Sequence, residues 1–239
     1  MMHFIFRYFW NMKKLLIIFL FLPILSWSQS YFEKAEKLFH AKKYKEAEVI
    51  FQENLKYYPH DIKTLERLAD IFSEEKDWEK AALYYKKLKE LKPTEADYFY
   101  KYGGCLGMRA LEVNKFKAFG MVDDMKAAFE KAIALNPKHI QARWALIELY
   151  LQLPGIVGGS ESKANAYSNE LAKISPVDGY LSKGRIDEYF KRYASAEKNY
   201  IKAYEIGKSK VTFQKLYNLY LNKLKDPKKA QELKRKFEA

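Results

Sequence analysis

Two glycine-rich segments hold the residues whose types could do chemistry in this sequence. Gly155, Gly158 and Gly159 precede Ser160, a composition typical of loops that cradle a phosphate. The Gly-Lys-Ser/Thr ending of a phosphate-binding loop is absent, however, and no strand is expected before the segment. Residues 103–107, Gly-Gly-Cys-Leu-Gly, do not match a dinucleotide fingerprint either. We therefore expect no cofactor at either segment.

The single cysteine and the acidic pairs do not form a catalytic arrangement. One Cys and four His exclude a disulfide framework and a zinc finger. Cys105 has no motif spacing to any histidine, so a buried structural thiol is the better interpretation than a nucleophile. Asp123 and Asp124 would face different sides of a helix, unlike a glycosidase pair. We expect no enzyme activity, metal or small-molecule substrate; the alternative is an enzyme that uses these glycines or Cys105.

The composition favours a packed helical chain. The 239 residues are 49% hydrophobic and 31% charged, which provides a core and argues against disorder. Only 10 Gly and 7 Pro argue against a loop-rich β architecture. The net charge of +13 is spread over many surfaces, as at Lys42-Lys43 and Lys86-Lys87. A solvated basic surface is the simpler interpretation, and weak attraction to anionic lipid or glycan is the alternative.

The N-terminus differs in composition from the rest of the chain. Lys13 and Lys14 precede an apolar run, Leu15 to Leu25, and small residues surround Trp27. This pattern predicts a secretory signal peptide over residues 1–28, with residues 1–11 an over-called start. The alternative is an uncleaved membrane anchor, although the run is shorter than the roughly 20 residues that span a bilayer. Export, to the periplasm or outside the cell, makes nucleic acid an unexpected partner.

An aromatic residue, an alanine, a second aromatic residue and a proline recur at a fixed spacing. They are Tyr44, Ala47, Phe51 and Pro59 in the first copy and Trp78, Ala81, Tyr85 and Pro93 in the second, 34 residues later. Upstream of the second copy, Leu65, Leu68, Ala69 and Phe72 have helical i, i+3, i+4, i+7 spacing. Each repeat is therefore predicted to be two amphipathic helices, A and B, with the proline ending helix B.

On these residues the chain resembles the tetratricopeptide repeat family. The family places Leu, Gly/Ala and Tyr on helix A, and Leu68-Ala69-Phe72 and Tyr102-Gly103-Leu106 fit that pattern. The resemblance implies an all-α fold, a right-handed α-solenoid, in a domain covering residues 29–239. Its repeats would span about 29–61, 62–95, 96–139, 140–176 and 177–210, followed by a cap at 211–239.

The resemblance also implies a peptide-binding groove along helix A. The family's groove positions fall in this sequence on Phe32, Glu36, Phe39, Glu66, Asp70, Tyr100, Trp144 and Glu148. Trp144 is equally compatible with a core position. The acids and aromatics of the first two repeats suggest a partner segment with positive charge and apolar anchors. The alternative is that these acids are solvated and balance the lysines of neighbouring helices.

Two repeats are longer than the others. From proline to proline, the third measures 44 residues and the fourth 39. We expect the third to have lengthened helices A and B that meet near Gly120, and the fourth to have a turn-rich linker from Leu153 to Ser160. Such insertions often mark a binding surface, but a tolerated surface loop is an equal alternative.

The resemblance implies a non-catalytic function. We expect an exported scaffold that holds a protein or peptide segment in its concave groove. The alternative is an envelope-associated structural protein held at the membrane by an uncleaved N-terminus, so that peripheral envelope association stays open.

Overall fold

The computed structural model describes residues 31–238. The expected signal peptide, residues 1–28, lies outside them. Within the described range, none of the helices is both long and apolar enough to cross a bilayer. The chain divides into two compact units, Met1–Pro93 and Thr94–Ala239, which we call the N-terminal and C-terminal units.

The described part of the N-terminal unit consists of two antiparallel helix pairs. The helices are α1 (31–40), α2 (Tyr44–Tyr57), α3 (Ile62–Glu74) and α4 (Trp78–Leu91). Ala47 and Phe51 of α2 and Ala81 and Tyr85 of α4 are buried, as the repeat pattern predicts. Asp61 caps α3, because its carboxylate accepts the Thr64 N–H at 3.1 Å.

The C-terminal unit continues the alternation with additional segments. Its helices are α5 (Ala96–Glu112), α6 (Lys115–Gly120), α7 (Val122–Leu135), α8 (Ile140–Gln152), α9 (Glu161–Ile174), α10 (Pro176–Tyr189), α11 (Tyr193–Gly207), α12 (Lys210–Asn218) and α13 (Pro227–Glu238). A 3₁₀ turn, Gly155–Val157, precedes α9, and a π-helical turn, Leu219–Leu224, follows α12. The described residues contain helices and no strand, which confirms the predicted all-α fold class.

The repeat prolines lie where helix B ends. α2, α4, α7 and α9 each stop two residues before Pro59, Pro93, Pro137 and Pro176, respectively. The residue before a proline is driven out of the helical region, and this sets the boundary. Pro176 has a second role, because it is also the first residue of α10.

Small residues on helix A allow the aromatic residue of helix B to pack closely. A Cβ added to Gly103 in α5 would lie 2.8 Å from a ring carbon of Phe129 in α7. At Gly184 in α10 the same atom would lie 2.4 Å from the ring of Tyr200 in α11. Phe129 and Tyr200 are buried, so each ring occupies the space that a side chain on helix A would need.

The short turns between helices A and B contain a lysine in the left-handed region. Lys42, Lys76 and Lys191 have φ angles of 59°, 61° and 60°. In each turn the following residue donates its N–H to a carbonyl of the preceding helix, as Asp77 does to Phe72 at 2.8 Å. This hydrogen bond requires the positive φ, which glycine adopts without the steric cost that lysine incurs.

The predicted geometry of the third repeat is wrong in part. α5 is lengthened to 17 residues as expected, but α7 has the same 14 residues as α2 and α4. The extra residues instead form a separate helix, α6. It begins at Asn114, whose side-chain oxygen accepts the Lys117 N–H at 3.0 Å and so makes a new helix start favourable.

The linker of the fourth repeat is a hydrogen-bonded turn. The amides of Val157 and Gly159 both donate to the Pro154 carbonyl at 3.0 Å, and the Ser160 amide donates to the Tyr150 carbonyl at 3.0 Å. Gly158 has φ 97°, which favours glycine. The predicted turn residues therefore build a defined connection that returns the chain to helix α9.

Candidate peptide-binding surfaces

In the N-terminal unit, Arg67 brings three of the predicted groove residues together. Its guanidinium donates from Nη2 to Glu36 Oε2 at 3.3 Å and lies 3.5 Å from Asp70 Oδ2 through Nη1. The same group lies 5.0 Å above the centre of the Phe39 ring. The hydrogen bond to Glu36 raises the pKa of Arg67 above its usual value. We call Glu36, Phe39, Arg67 and Asp70 the N-terminal cluster.

A tyrosine of helix B fixes the second acid of this cluster. Tyr85 donates its hydroxyl to Asp70 Oδ1 at 2.6 Å. Tyr85 is buried while the Asp70 side chain is 28% exposed, so the hydrogen bond connects the core to the surface. Asp70 therefore has a fixed orientation and still reaches solvent.

The remaining predicted residues of this unit lie beside the cluster. Glu66 precedes Arg67 on α3 and is half-buried; its charge contributes to raising the pKa of Arg67. Phe32 packs on Phe51 with ring centres 5.6 Å apart. Phe32 therefore belongs in part to the packing between α1 and α2.

In the C-terminal unit, Arg185 binds Glu148 with two hydrogen bonds. Nε of Arg185 donates to Oε1 of Glu148 at 2.8 Å, and Nη2 donates to Oε2 at 2.9 Å. The guanidinium also lies 5.6 Å from the centre of the Tyr189 ring. One helical turn along α10, Glu188 accepts the Tyr200 hydroxyl at 2.9 Å. We call Glu148, Arg185, Glu188 and Tyr189 the C-terminal cluster.

The two clusters repeat one design. In each, an arginine on helix A binds an acid on the helix A of the preceding repeat and lies against an aromatic ring. In each, the helix B tyrosine donates to a further acid on helix A. Acids outnumber the arginine in both places, although the whole chain carries +13. Glu36, Asp70 and Glu148 are all partly exposed, so each surface presents carboxylates to solvent.

Trp144 and Tyr100 are more deeply integrated than the acids. Trp144 donates its indole N–H to Asp178 Oδ1 at 2.8 Å and packs against the hydrophobic core formed by α10 to α13. Tyr100 lies with its ring centre 5.1 Å from that of His139 and 6.1 Å from that of Phe129. Burial raises the pKa of Tyr100. Both side chains are half-buried, so each offers one edge to solvent.

Sequence reasoning missed Arg67, which organises the N-terminal cluster. The family's groove positions fall on Glu66 and Asp70 and do not include Arg67. The signal that could identify it is an arginine 31 residues after Glu36, close to the repeat length. Neither expectation for the acids included an arginine of this chain, yet Glu36 and Asp70 both contact Arg67.

The residues first considered for chemistry lie in a helix core and in a turn between helices. Cys105 is buried in α5, in agreement with the interpretation of a structural thiol. Gly155 to Ser160 form the hydrogen-bonded turn described above. Across residues 31–238, no group of three or more His, Cys, Asp or Glu side chains has a geometry that could hold a metal ion.

Comparison with known proteins gives a fold and no close relative. No protein-family profile matches the sequence, and no curated protein matches it either. Solved structures do match. A tetratricopeptide repeat protein from Parabacteroides merdae ATCC 43184 has a TM-score of 0.65 at 13% identity, covering 87% of this chain and 78% of its own.

Two further structures are similar over most of their lengths. PilW, described as a widely conserved type IV pilus biogenesis factor, has a TM-score of 0.61 at 18% identity and covers 87% of this chain and 91% of its own. YrrB, described as a TPR protein with an unusual peptide-binding site, has a TM-score of 0.55 at 15% identity and covers 76% and 87%. The helix pairs, their packing residues and these matches together establish that the chain has the tetratricopeptide repeat fold, an all-α solenoid.

Proposed function

We propose that this protein is a non-catalytic scaffold that binds a peptide segment of a partner protein on its helix A surfaces. The observation that carries the proposal is the repeated cluster of a fixed arginine, an excess of acids and an aromatic ring. Structurally similar proteins include one with a peptide-binding site and one that acts in pilus biogenesis.

The clusters favour a partner segment with Lys or Arg side chains and apolar anchors. Tyr85 and Tyr200 donate their hydroxyls to Asp70 and Glu188, respectively, and a carboxylate can accept several hydrogen bonds at once. Because tyrosine and arginine hold these acids in place, binding would cost little side-chain entropy. Phe39 and Tyr189 provide apolar surface beside them.

Selection of peptides on the purified protein tests the proposal. A displayed library of random peptides should yield sequences that combine Lys or Arg with aromatic or aliphatic residues. Their affinity should fall as salt rises, because the attraction is between partly exposed charges. Enrichment of acidic peptides, or of none, would contradict the proposed specificity.

A matched pair of variants locates the site. Glu66→Lys changes the charge of the helix A surface by two units, and Glu90→Lys makes the same change at an exposed position of α4. We expect Glu66→Lys to weaken binding of a selected peptide about fivefold or more, as for loss of one charged contact. Glu90→Lys should bind as the unaltered protein does. Equal losses in both variants would place the site elsewhere.

We further propose that the protein is exported with removal of residues 1–28. The basic n-region and short apolar run support this. The mass of the protein isolated from its cells decides the matter: a chain that begins at Gln29 means export after cleavage. A chain that retains residues 1–28 means membrane anchoring, the alternative.

A further inference from the structure

The two inserted turns of the C-terminal unit carry the most exposed apolar side chains among those described. Phe116 of α6 is 89% exposed, Leu111 at the end of α5 is 81% exposed, and Ile156 in the 3₁₀ turn is 96% exposed. We call these three residues the apolar edge. Side chains exposed to this degree project outward rather than line a groove, and exposing them is unfavourable unless another surface covers them.

Both insertions lie at the same end of α7. The helix α6 ends at Gly120, immediately before α7 begins at Val122. The turn that carries Ile156 is close to the first turns of α7, because a Cβ on Gly158 would lie 3.2 Å from Lys126 Nζ. Each insertion connects a helix A to its helix B, and in stacked helix pairs these connections share one edge. The three apolar side chains therefore project from one edge of the unit.

The edge has a defined conformation. Asn114 caps α6 through the Lys117 amide, and the amides of Val157, Gly158 and Gly159 all donate to carbonyls of the turn. The apolar side chains are therefore presented by a folded backbone. Little ordering would be needed when another surface covers them.

The basic part of this edge is α6, whereas the exposed acids of the same segment, Glu112, Asp123 and Asp124, lie at the ends of α5 and α7. Lys115 and Lys117 flank Phe116, are exposed, and form no ion pair within residues 31–238. A protruding aromatic side chain between two lysines, with two aliphatic side chains on the same edge, matches the requirements of a bilayer interface. There, apolar groups enter the acyl boundary and lysines meet anionic headgroups. We propose that the apolar edge docks this protein onto an anionic membrane surface. This interaction does not involve the peptide-binding clusters or residues 1–28.

Vesicle flotation of the full chain tests the proposal. Phosphatidylcholine vesicles with phosphatidylglycerol should bind the protein, and the binding should weaken as salt rises. The triple variant Leu111→Ser, Phe116→Ser, Ile156→Ser should bind at least tenfold more weakly, since burial of one large apolar side chain is worth about that factor. A matched control, Val49→Ser, Leu83→Ser, Ile206→Ser, removes three other exposed apolar side chains and should bind normally. Residues 1–28 are present in every variant, so their contribution is the same throughout.

Charge variants test the role of the lysines. Lys115→Glu with Lys117→Glu should weaken binding by more than tenfold, because each lysine near an anionic surface contributes roughly a fivefold factor. Lys86→Glu with Lys87→Glu makes the same charge change on α4 and should have a smaller effect. Equal effects of the two pairs would show that only net charge matters and would overturn the proposal.

A fluorophore at the edge gives a readout that residues 1–28 cannot mimic. In a Cys105→Ala background, Phe116→Cys carries an environment-sensitive dye, and Leu83→Cys is the control position. Anionic vesicles should shift the emission of the dye at residue 116 to the blue and leave the dye at residue 83 unchanged. An unchanged emission at residue 116 would overturn the proposal. So would a lipid-free dimer of the unaltered chain that the triple variant abolishes, since a second copy would then cover the edge.

Discussion

The short and the long turns connect helix A to helix B in different ways. At Lys42, Lys76 and Lys191 the chain reverses through one left-handed residue and uses lysine there despite its steric cost. The third repeat adds the helix α6, which Asn114 caps, and the fourth adds a turn in which Gly158 is left-handed. Both additions expose apolar side chains. The packing rule is the same in both regions: small residues lie at the contacts between helices A and B. The comparison shows that the repeats differ from one another mainly in their turns, whereas the packing that stabilises them lies at the helix interfaces.

The largest effect is therefore expected at a helix interface. Ala81 is fully buried on α4, and Ala81→Trp should lower the free energy of unfolding by about 3 kcal/mol, since overpacking drives the helices apart. Urea unfolding measures this change. Lys86→Trp on the exposed face of the same helix is the control, and an equal loss there would refute the packing rule.

A smaller loss is expected where a glycine makes room for an aromatic ring. Gly184→Ala places a Cβ 2.4 Å from Tyr200 and should cost about 2 kcal/mol. Gly104→Ala, with no neighbouring atom within 4 Å, should instead stabilise α5 by about 0.5–1 kcal/mol, because alanine favours helices. Thermal or urea unfolding of the two variants should therefore show shifts of opposite sign; shifts of the same sign would contradict the assignment.

The turns should respond more weakly and in opposite directions. Lys76→Gly should stabilise the protein by about 1 kcal/mol, because glycine adopts φ 61° without steric cost. Gly158→Ala should destabilise it by a similar amount, because φ 97° is unfavourable for any other residue. Denaturant midpoints of both variants check this prediction. A loss of stability in Lys76→Gly would mean that the lysine side chain makes a contact that outweighs the backbone cost.

The smallest effect concerns the unusual cap of α8. The N-cap residue of α3, α10 and α12 is an aspartate or a serine. The N-cap residue of α8 is His139, which accepts the Ala142 amide through Nδ1 at 3.2 Å. Burial lowers the pKa of His139, and nearby Arg143 acts in the same direction, while Asp97 at 3.2 Å from Nε2 opposes them. The unfolded chain therefore binds the proton more readily, so stability falls as pH drops below about 6.5.

Replacement of His139 by a cap that does not titrate tests this linkage. His139→Asn keeps a side-chain acceptor for the Ala142 amide. Between about pH 7 and pH 5, the Tm of the unaltered protein should fall by about 2 °C more than that of the variant. Parallel pH profiles would show that the pKa of His139 does not differ between the folded and unfolded states and would contradict the prediction.

The sequence was sufficient to predict the features that depend on local periodicity. Alanine and aromatic residues at fixed spacing identified the buried faces of α2 and α4, and the prolines gave the ends of four helices. These features follow from helical geometry within one repeat, so nearby residues determine them. The all-α fold was predictable because the same helical periodicity recurs in each repeat.

Features that depend on packing between repeats were only partly predictable. Arg67 is separated from Glu36 by 31 residues, and the sequence alone does not show which acid its guanidinium reaches. The division of the third repeat into α5, α6 and α7 was missed, because residues 108–123 have helical composition throughout and the local cap at Asn114 decides the break. Trp144 was equally compatible with groove and core; it packs against the hydrophobic core and donates a hydrogen bond to Asp178, and its place in the groove stays a prediction.

Three buried or half-buried tyrosines of the C-terminal unit have a spectroscopic consequence. Burial raises the pKa of Tyr167 and of Tyr220 to about 12, with neighbouring glutamates acting in the same direction. The same causes raise the pKa of Tyr200, whose hydroxyl donates to Glu188. In an alkaline titration followed by ultraviolet absorbance, exposed phenols should ionise before these three. The second absorbance step should coincide with loss of helical circular dichroism, so the chain contains an intrinsic optical reporter of whether its repeats are still assembled.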